Sequence, residues 1–172
     1  MNYSLLFTTL SLILTISHAM LAASGINLHE ELCKQAGADD NARCSQILKS
    51  ESAKDYVELS RYVLQIAVKR SIEGQNYLKG VMKTNPSSKA IKECATTHYD
   101  GVVGSFKSAL GELKVDPMTA NYDAKVGGDG PTTCNRALAE EKINNPSIAA
   151  LNSDILLLSK LAYLATDKIP RS

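Results

Sequence analysis

Four cysteines constrain this chain more than any other feature of its sequence. Ten residues separate Cys33 from Cys44, and thirty-nine separate Cys94 from Cys134. An even number of cysteines in a chain that can reach an oxidising compartment favours two disulfides. A zinc site would instead need cysteines about two to four residues apart, often with histidines at similar spacing. The sequence has no such cluster, so we expect two disulfides and no metal site.

The start of the chain predicts export from the cell. Leu5 to Ile16 is an unbroken run of apolar and hydroxyl side chains, and no charged residue precedes Glu30. The small-x-small triplet Ser17-His18-Ala19 follows this run. Because the run is too short to span a bilayer comfortably, we predict that residues 1–23 are a signal peptide, cleaved between about 19 and 24. The protein is then expected to be secreted and extracellular.

Charge and composition argue against several classes of partner. The chain has 19 Lys and Arg against 18 Asp and Glu, a net charge of +1. This balance gives no electrostatic reason to expect nucleic acid or an anionic membrane surface. No other apolar stretch approaches about eighteen residues, so we expect no membrane span after the signal peptide is removed. The Asn-Pro-Ser triplets at Asn85 and Asn145 are blocked by proline and Asn2-Tyr3-Ser4 lies in the leader, so no N-glycan is expected.

Helical periodicity dominates the rest of the sequence. Strand formers are few, and polar and apolar residues do not alternate convincingly. In two segments the apolar side chains recur at alternating steps of four and three, which keeps one stripe against a neighbouring antiparallel helix. The stripes are Ala95, Tyr99, Val102, Phe106, Ala109 and Leu113 in the first segment, and Ile148, Leu151, Ile155, Leu158, Ala162, Ala165 and Ile169 in the second.

Two more long helices are predicted, one from about Ser52 to Lys83 and one from about Pro117 to Cys134. Gly127-Gly128-Asp129-Gly130-Pro131 should break or bend the later helix. The glycine cluster is not a phosphate-binding loop, because it lacks a preceding strand and a following Lys-Ser/Thr. The predicted stripes are Leu59, Val63, Ile66, Tyr77 and Val81 in the earlier helix, and Met118, Tyr122 and Val126 in the later one.

These four amphipathic segments predict an all-α fold, an antiparallel up-and-down four-helix bundle over residues 52–172. Residues 24–51 precede the bundle and contain the first two cysteines on either side of a Gly37–Asn41 turn. We expect this stretch to be a short N-terminal helical hairpin. Among the tyrosines, Tyr77 and Tyr99 are expected in the core.

Short motifs surround the cysteines and continue into the last helical segment. They are Leu32-Cys33-Lys34, Asn41-Ala42-Arg43-Cys44, Leu48, Ala53-Lys54-Asp55-Tyr56, Ile91-Lys92-Glu93-Cys94, Tyr99, Val102-Val103, Thr132-Thr133-Cys134, Asn152, Leu158 and Leu161-Ala162. In these motifs the sequence resembles the plant invertase and pectin methylesterase inhibitors over nearly all of the mature chain. The resemblance implies the same bundle and hairpin, with disulfides Cys33–Cys44 and Cys94–Cys134. It also implies a secreted plant protein that blocks either pectin methylesterase or a cell-wall or vacuolar invertase.

The chain departs from the family's pattern in four places. Tyr99 lies five residues after the third cysteine, where the family usually has four, so His98 takes that place. Asn135-Arg136 follows the last cysteine, where acidic residues are common, and the glycine run stands where a small-residue helix is usual. Of the Pro-Lys-Phe triplet that invertase inhibitors often carry, this chain matches only Pro117.

Few residues suit catalysis. His18 belongs to the leader, which leaves His29 and His98, and no Gly-x-Ser-x-Gly motif accompanies them. The acid pairs Asp39-Asp40 and Glu140-Glu141 fall in a predicted turn and a polar helix end rather than facing each other as glycosidase acids do. We expect neither enzymatic activity nor a cofactor.

Inhibition by a folded domain requires only a rigid surface that covers the target's cleft. The resemblance suggests Asp116, Pro117, Met118 and Thr119 as partner-binding residues, at the tip of a link that can enter an invertase cleft. The polar faces of the second and third bundle segments are the other candidate, suited to the long groove of a pectin methylesterase.

Two alternatives to inhibition stay open at this point. In one, the bundle holds a small apolar ligand between its helices, which would need a cavity on the order of several hundred cubic ångströms. In the other, the protein is a divergent family member that has lost its inhibitory surface.

Overall fold

A computed structural model describes residues 27–49 and 52–170, and every regular element in this part of the chain is helical. The predicted signal peptide lies outside the described residues. A π-helical turn over Cys94–His98 joins two of the helices. The helices are α1 (Leu28–Gln35), α2 (Ala38–Ile47), α3 (Tyr56–Thr84), α4 (Lys89–Glu93), α5 (Tyr99–Glu112), α6 (Pro117–Val126), α7 (Asp129–Glu140) and α8 (Pro146–Asp167).

Helices α3, α5, α6 and α8 form a four-helix bundle. Helix α8 packs against α3 and α6, and α5 packs against the same two helices on the opposite side. Helices α1 and α2 form a hairpin that lies against α8, with α1 also touching α3. The predicted all-α bundle with an N-terminal hairpin and two disulfides is therefore confirmed.

Local sequence fixes where four of the helices begin. Each starts after a side chain that accepts hydrogen bonds from the free N–H groups of the first turn. Proline occupies the first helical position of α6 and α8, where its missing N–H costs nothing. The capping residues are Asp55 for α3, Ser88 for α4, Asp116 for α6 and Asn145 for α8.

The stripes predicted for α5 and α8 form the core. All six stripe residues of the earlier segment are buried, and Tyr99 is fully enclosed. The expectation for Tyr77 was wrong, because this side chain is 42% exposed. Helix α3 instead buries Gly74 and Leu78, and a Cβ at Gly74 would lie only 2.5 Å from Leu151 Cδ1. The buried face of α3 at this level is formed by Ser71, Gly74 and Leu78, and Tyr77 lies outside it.

Helix α8 is the central helix of the bundle. By length and composition it could cross a membrane, but half of its most apolar window is buried inside the protein. Its polar residues face neighbouring elements. Arg43 of α2 donates to Asp154 Oδ1 (2.6 Å) and to Ser153 Oγ (3.1 Å), and Lys160 Nζ donates to Asp40 Oδ2 (2.9 Å). These contacts hold the hairpin on α8.

The glycine cluster breaks the interrupted helix as predicted, but the second half is longer than expected. Helix α6 ends at Val126, and α7 continues past Cys134 to Glu140. The Ser159 hydroxyl donates to the carbonyl groups of Ala124 (2.8 Å) and Lys125 (3.2 Å), close to the break. A serine of α8 thus supplies a donor for carbonyls at the end of α6, where helical bonding is incomplete. The Lys125 carbonyl also accepts from the Gly128 N–H (3.0 Å).

The π-helical turn accounts for the extra residue between Cys94 and Tyr99. A π turn holds one more residue than an α turn, so the chain takes up the insertion and Tyr99 still reaches the core. The Tyr99 hydroxyl donates to Asn152 Oδ1 (2.7 Å), and Asn152 Nδ2 donates to Asn135 Oδ1 (2.6 Å). Burial, and to a smaller extent the nearby Asp154, raises the pKa of Tyr99, which therefore remains a neutral donor.

Candidate partner-binding surface

The four residues predicted to bind a partner are the N-cap and the first three residues of α6, directly after the turn that ends α5. The N–H groups of Val115 and Asp116 both donate to the carbonyl of Glu112, at 2.9 and 2.8 Å, and close the turn at the end of α5. Leu113 is buried and anchors the turn to the core. The turn is consequently a defined protrusion rather than a loose loop.

Asp116 organises the start of α6. Its Oδ1 accepts from the N–H groups of Met118 and Thr119, both at 3.1 Å, while Oδ2 accepts from the Thr119 hydroxyl at 2.7 Å. The hydrogen bond from the Thr119 hydroxyl is the main cause that lowers the pKa of Asp116, and the hydrogen bond from the Thr119 backbone N–H is the second. Pro117 fixes the backbone between them. Asp116, Pro117 and Thr119 therefore act together as a cap that sets the position of Met118.

Large apolar side chains are exposed around this cap. In the described part of the chain five such residues are exposed, and three of them lie in the turn before α6 or on α6 itself: Val115 (83%), Met118 (62%) and Tyr122 (65%). The other two, Ile72 (36%) and Tyr77 (42%), lie on α3. We call Val115, Met118 and Tyr122 the apolar patch. Grouped exposed apolar side chains of this kind are typical of interaction sites.

The patch includes residues that the sequence placed on the wrong side of the helix. Met118 and Tyr122 were expected in the buried stripe of α6, but the fully buried residues are Ala120 and Ala124. These lie two positions further on, which is about 200° around a helix. Helix α6 approaches its neighbours so closely that only small side chains fit inside. The sequence signal that could have identified the buried face is the pair of alanines, Ala120 and Ala124, spaced four residues apart.

Close packing of α6, and of Gly127 directly after it, is visible at two contacts. Asn121 Nδ2 donates to the Tyr163 carbonyl (2.8 Å) and to Thr166 Oγ1 (2.9 Å) of α8. A Cβ at Gly127 would lie 2.4 Å from Cε1 of Phe106. Contacts at this distance leave no room for a large side chain on the inner face, so Met118 and Tyr122 are directed outward.

The outer face of α5 adjoins the patch and carries few side chains. Gly101, Gly104 and Gly111 are all exposed, and a Cβ added at any of them would meet nothing within 4 Å. Gly111 is one helical turn before Val115, so the two surfaces are continuous along the chain. We call these three glycines the open glycines. A partner's surface could approach the helix backbone closely here.

The disulfides stiffen the support of this surface. Cys94 is joined to Cys134 with a Cα–Cα distance of 5.1 Å, and Cys33 to Cys44 with one of 5.4 Å. The first of these bonds ties the π turn before α5 to α7. The start of α5 and the continuation of α6 are thereby held together covalently, and no cysteine in the described residues is free.

One residue of each predicted acid pair makes contacts that hold the fold together. Glu141 accepts from the Ser88 hydroxyl (2.6 Å) and from the Ala90 N–H (2.9 Å), and thus joins the end of α7 to the start of α4. The bond from Ser88, followed by that from Ala90, lowers the pKa of Glu141. Asp40 is paired with Lys160. In the described ranges no group of three or more His, Cys, Asp or Glu side chains could hold a metal ion.

A cleft of about 580 Å³ lies between the hairpin and helices α3 and α8. Its walls include Lys69, Arg70 and Glu73 and the Arg43–Asp154 ion pair. It is therefore a charged surface cleft beside the hairpin, not an apolar cavity between the bundle helices. It does not support the alternative that the bundle stores a small apolar ligand.

Comparison with solved structures identifies the fold. The crystal structure of mutant form A of a pectin methylesterase inhibitor from Arabidopsis matches with a TM-score of 0.71 and 19% identity, over 77% of this chain and 92% of that one. A second crystal structure, of a pectin methylesterase inhibitor from Arabidopsis thaliana, matches with a TM-score of 0.65 and 18% identity, over 86% of this chain and 99% of that one. No family model and no curated protein sequence matches this chain.

The chain therefore has the fold of the pectin methylesterase inhibitors. Both neighbours are described as inhibitors of an enzyme, not as enzymes. The resemblance that the cysteine framework predicted is confirmed by this similarity of fold.

Proposed function

We propose that this protein is a secreted, non-catalytic inhibitor that binds a pectin methylesterase of the plant cell wall and blocks its active-site cleft. One observation carries the proposal: nearly the whole length of two solved pectin methylesterase inhibitors superposes on this chain. The four-cysteine motifs that suggested this family from the sequence add independent support. Disulfides also suit the oxidising space outside the cell.

The construction of the molecule suits inhibition by docking. A stiff domain loses little conformational entropy on binding, so more of the contact energy contributes to affinity. Two disulfides and capped helices provide that stiffness. An interface of about 1,600 Å² would be enough for a tight complex, provided that a few large side chains are buried at its centre.

The apolar patch is the best candidate for that centre. Met118 and Tyr122 belong to residue types that carry binding energy at interfaces, and the Asp116 cap fixes the backbone that presents Met118. The open glycines extend the surface along α5, where a groove wall could lie against the helix. Asp116, Pro117, Met118 and Thr119 are proposed as partner-binding residues on these grounds, together with Val115 and Tyr122.

Pectin methylesterase is favoured over invertase as the target. Both solved neighbours are named for pectin methylesterase, and the Pro-Lys-Phe triplet typical of invertase inhibitors is present only as Pro117. An invertase remains the natural comparison enzyme in any test.

Titration of the purified, oxidised protein against a plant pectin methylesterase and a cell-wall invertase at acidic pH tests the proposal. We expect loss of pectin methylesterase activity at a ratio near one to one. Tyr122→Ala should weaken inhibition by tenfold or more, about the effect of truncating a central interface residue. The matched control is Tyr77→Ala, which removes an exposed tyrosine from α3 and should leave inhibition unchanged.

Each outcome has a distinct meaning. Full inhibition by Tyr122→Ala would place the docking surface elsewhere on the bundle. Inhibition of invertase alone would show that the target is an invertase rather than a pectin methylesterase. No effect of the wild-type protein on either enzyme would contradict the inhibitor function and support a divergent, non-inhibitory protein.

A further inference from the structure

Met118 combines two properties that no other described residue shares. The residue is 62% exposed, and it stands between Val115 and Tyr122 in the sequence of the apolar patch. The other methionine in the described part, Met82, is partly buried and packs against the core. Every described cysteine is already in a disulfide. Met118 is therefore the most accessible oxidisable sulfur that the described structure presents to solvent.

We propose that Met118 is a peroxide-sensitive site, and that its oxidation to the sulfoxide weakens binding of the target enzyme. This inference rests on the proposed inhibitory function and assigns a regulatory property to the same surface. The oxidant is hydrogen peroxide or another small peroxide, and no metal or cofactor of the protein takes part.

The reaction is a two-electron oxygen transfer. A lone pair on the Met118 sulfur attacks one peroxide oxygen, and the O–O bond breaks. The departing hydroxide takes the proton from the oxygen now bound to sulfur and leaves as water. The sulfur is oxidised from thioether to sulfoxide, and the peroxide is reduced. The flexible apolar side chain thereby gains a polar S=O group.

The position of Met118 limits the consequence to binding. The side chain is not part of the core, and the cap at Asp116 holds its backbone N–H independently of the sulfur. The fold should therefore tolerate the sulfoxide. An interface that buries Met118 would not, because a polar oxygen enclosed among apolar groups loses its hydrogen bonds to water.

The direct test exposes the wild-type protein to hydrogen peroxide and follows each methionine by peptide mass spectrometry. Met118 should be oxidised several times faster than Met82. Inhibition of the target enzyme should weaken about tenfold or more in step with Met118 oxidation, while the circular dichroism spectrum and melting temperature stay the same. Prior addition of saturating enzyme should protect Met118 from oxidation.

Two variants separate the sources of any effect. Met118→Leu should show the same inhibition constant before and after peroxide, whatever its starting value. Met82→Leu should inhibit like the wild type and remain peroxide-sensitive. Methionine sulfoxide reductase treatment should restore inhibition by the oxidised wild type.

The inference is overturned if oxidised protein inhibits as well as untreated protein, if the enzyme does not protect Met118, or if Met118→Leu is equally peroxide-sensitive. These outcomes are distinct from failure of the proposed function, in which the untreated protein does not inhibit at all.

Discussion

Two groups of glycines stand in opposite surroundings in this molecule. Where α7 crosses the π turn, a Cβ at Gly130 would lie 2.4 Å from Val102 Cγ2 and 2.6 Å from the His98 carbonyl oxygen. On the outer face of α5, a Cβ at Gly101 or Gly104 would meet nothing. Glycine in a helix costs about 1 kcal/mol relative to alanine. At Gly130 close packing offsets that cost. On the outer face of α5 nothing offsets it, so the fold does not require the glycines there.

The difference distinguishes residues kept for folding from residues available for recognition. The interior glycines allow α7 to come close enough for the Cys94–Cys134 disulfide. The open glycines leave a smooth strip beside the apolar patch, and the proposed function gives that strip a use. Gly130→Ala and Gly104→Ala examine the contrast directly, and two further substitutions examine the polar contacts that hold the fold.

Gly130→Ala should have the largest effect. The added methyl group meets backbone as well as a side chain, so the helix must move away from the π turn. We expect a loss of about 2–3 kcal/mol in the free energy of unfolding, as is typical of overpacking in a core. Urea denaturation at constant disulfide content measures it. Gly80→Ala, at an open position of α3, is the control, and equal stability of the two variants would refute the packing argument.

Asn152→Ala should come next. Asn152 is fully buried and links Tyr99 to Asn135. Its removal leaves the Tyr99 hydroxyl without its acceptor, for which we expect a loss of about 2 kcal/mol. The double variant with Tyr99→Phe should recover part of that loss, because the orphaned hydroxyl is removed too. If the stability losses of Asn152→Ala and Tyr99→Phe simply add in the double variant, the two sites act independently and the proposed link is wrong.

Gly104→Ala should act in the opposite direction. With no steric conflict, the methyl group should stabilise the protein by about 0.5–1 kcal/mol through helix propensity. If the strip docks against the target, the same variant should inhibit less well. Measuring the melting temperature and the inhibition constant together tests the contrast. A variant that is more stable and inhibits fully would exclude this part of α5 from the interface.

The smallest effect concerns pH and two exposed carboxylates that hold helix starts. Asp116 and Glu141 have pKa values below their ordinary values of 3.8 and 4.5, because hydrogen bonds favour the ionised forms. Their contribution to stability is therefore complete above those ordinary values and is lost as the pH falls through the lower, folded-state pKa. Glu141→Gln should flatten the fall in melting temperature between pH 4.5 and lower pH. An unchanged pH profile would contradict this role.

Much of the fold could be predicted because its signals are local. The stripes of α5 and α8 and the interruption at the glycine cluster depend on residues that are near neighbours in sequence. Tyr77 and Met118 were misplaced for a common reason. At each, the buried face is set by how closely a neighbouring helix approaches, and that distance is not encoded in the periodicity of either helix alone.

The candidate site was predicted in part. The resemblance indicated the link from Asp116 to Thr119, but Val115 and Tyr122 became part of the surface only when exposure was known. The open glycines could not be distinguished from structural glycines by sequence, since the difference lies in what faces the missing Cβ.

By itself, then, the sequence determined the helical class, the helix starts and the pattern of four cysteines, because capping and amphipathic periodicity act over one or two turns. Tertiary structure alone decided which face of α6 is buried, how the π turn returns Tyr99 to the core and which glycines are open. Those outcomes depend on distances between helices that are remote in sequence, and such distances are fixed only when all the helices pack together.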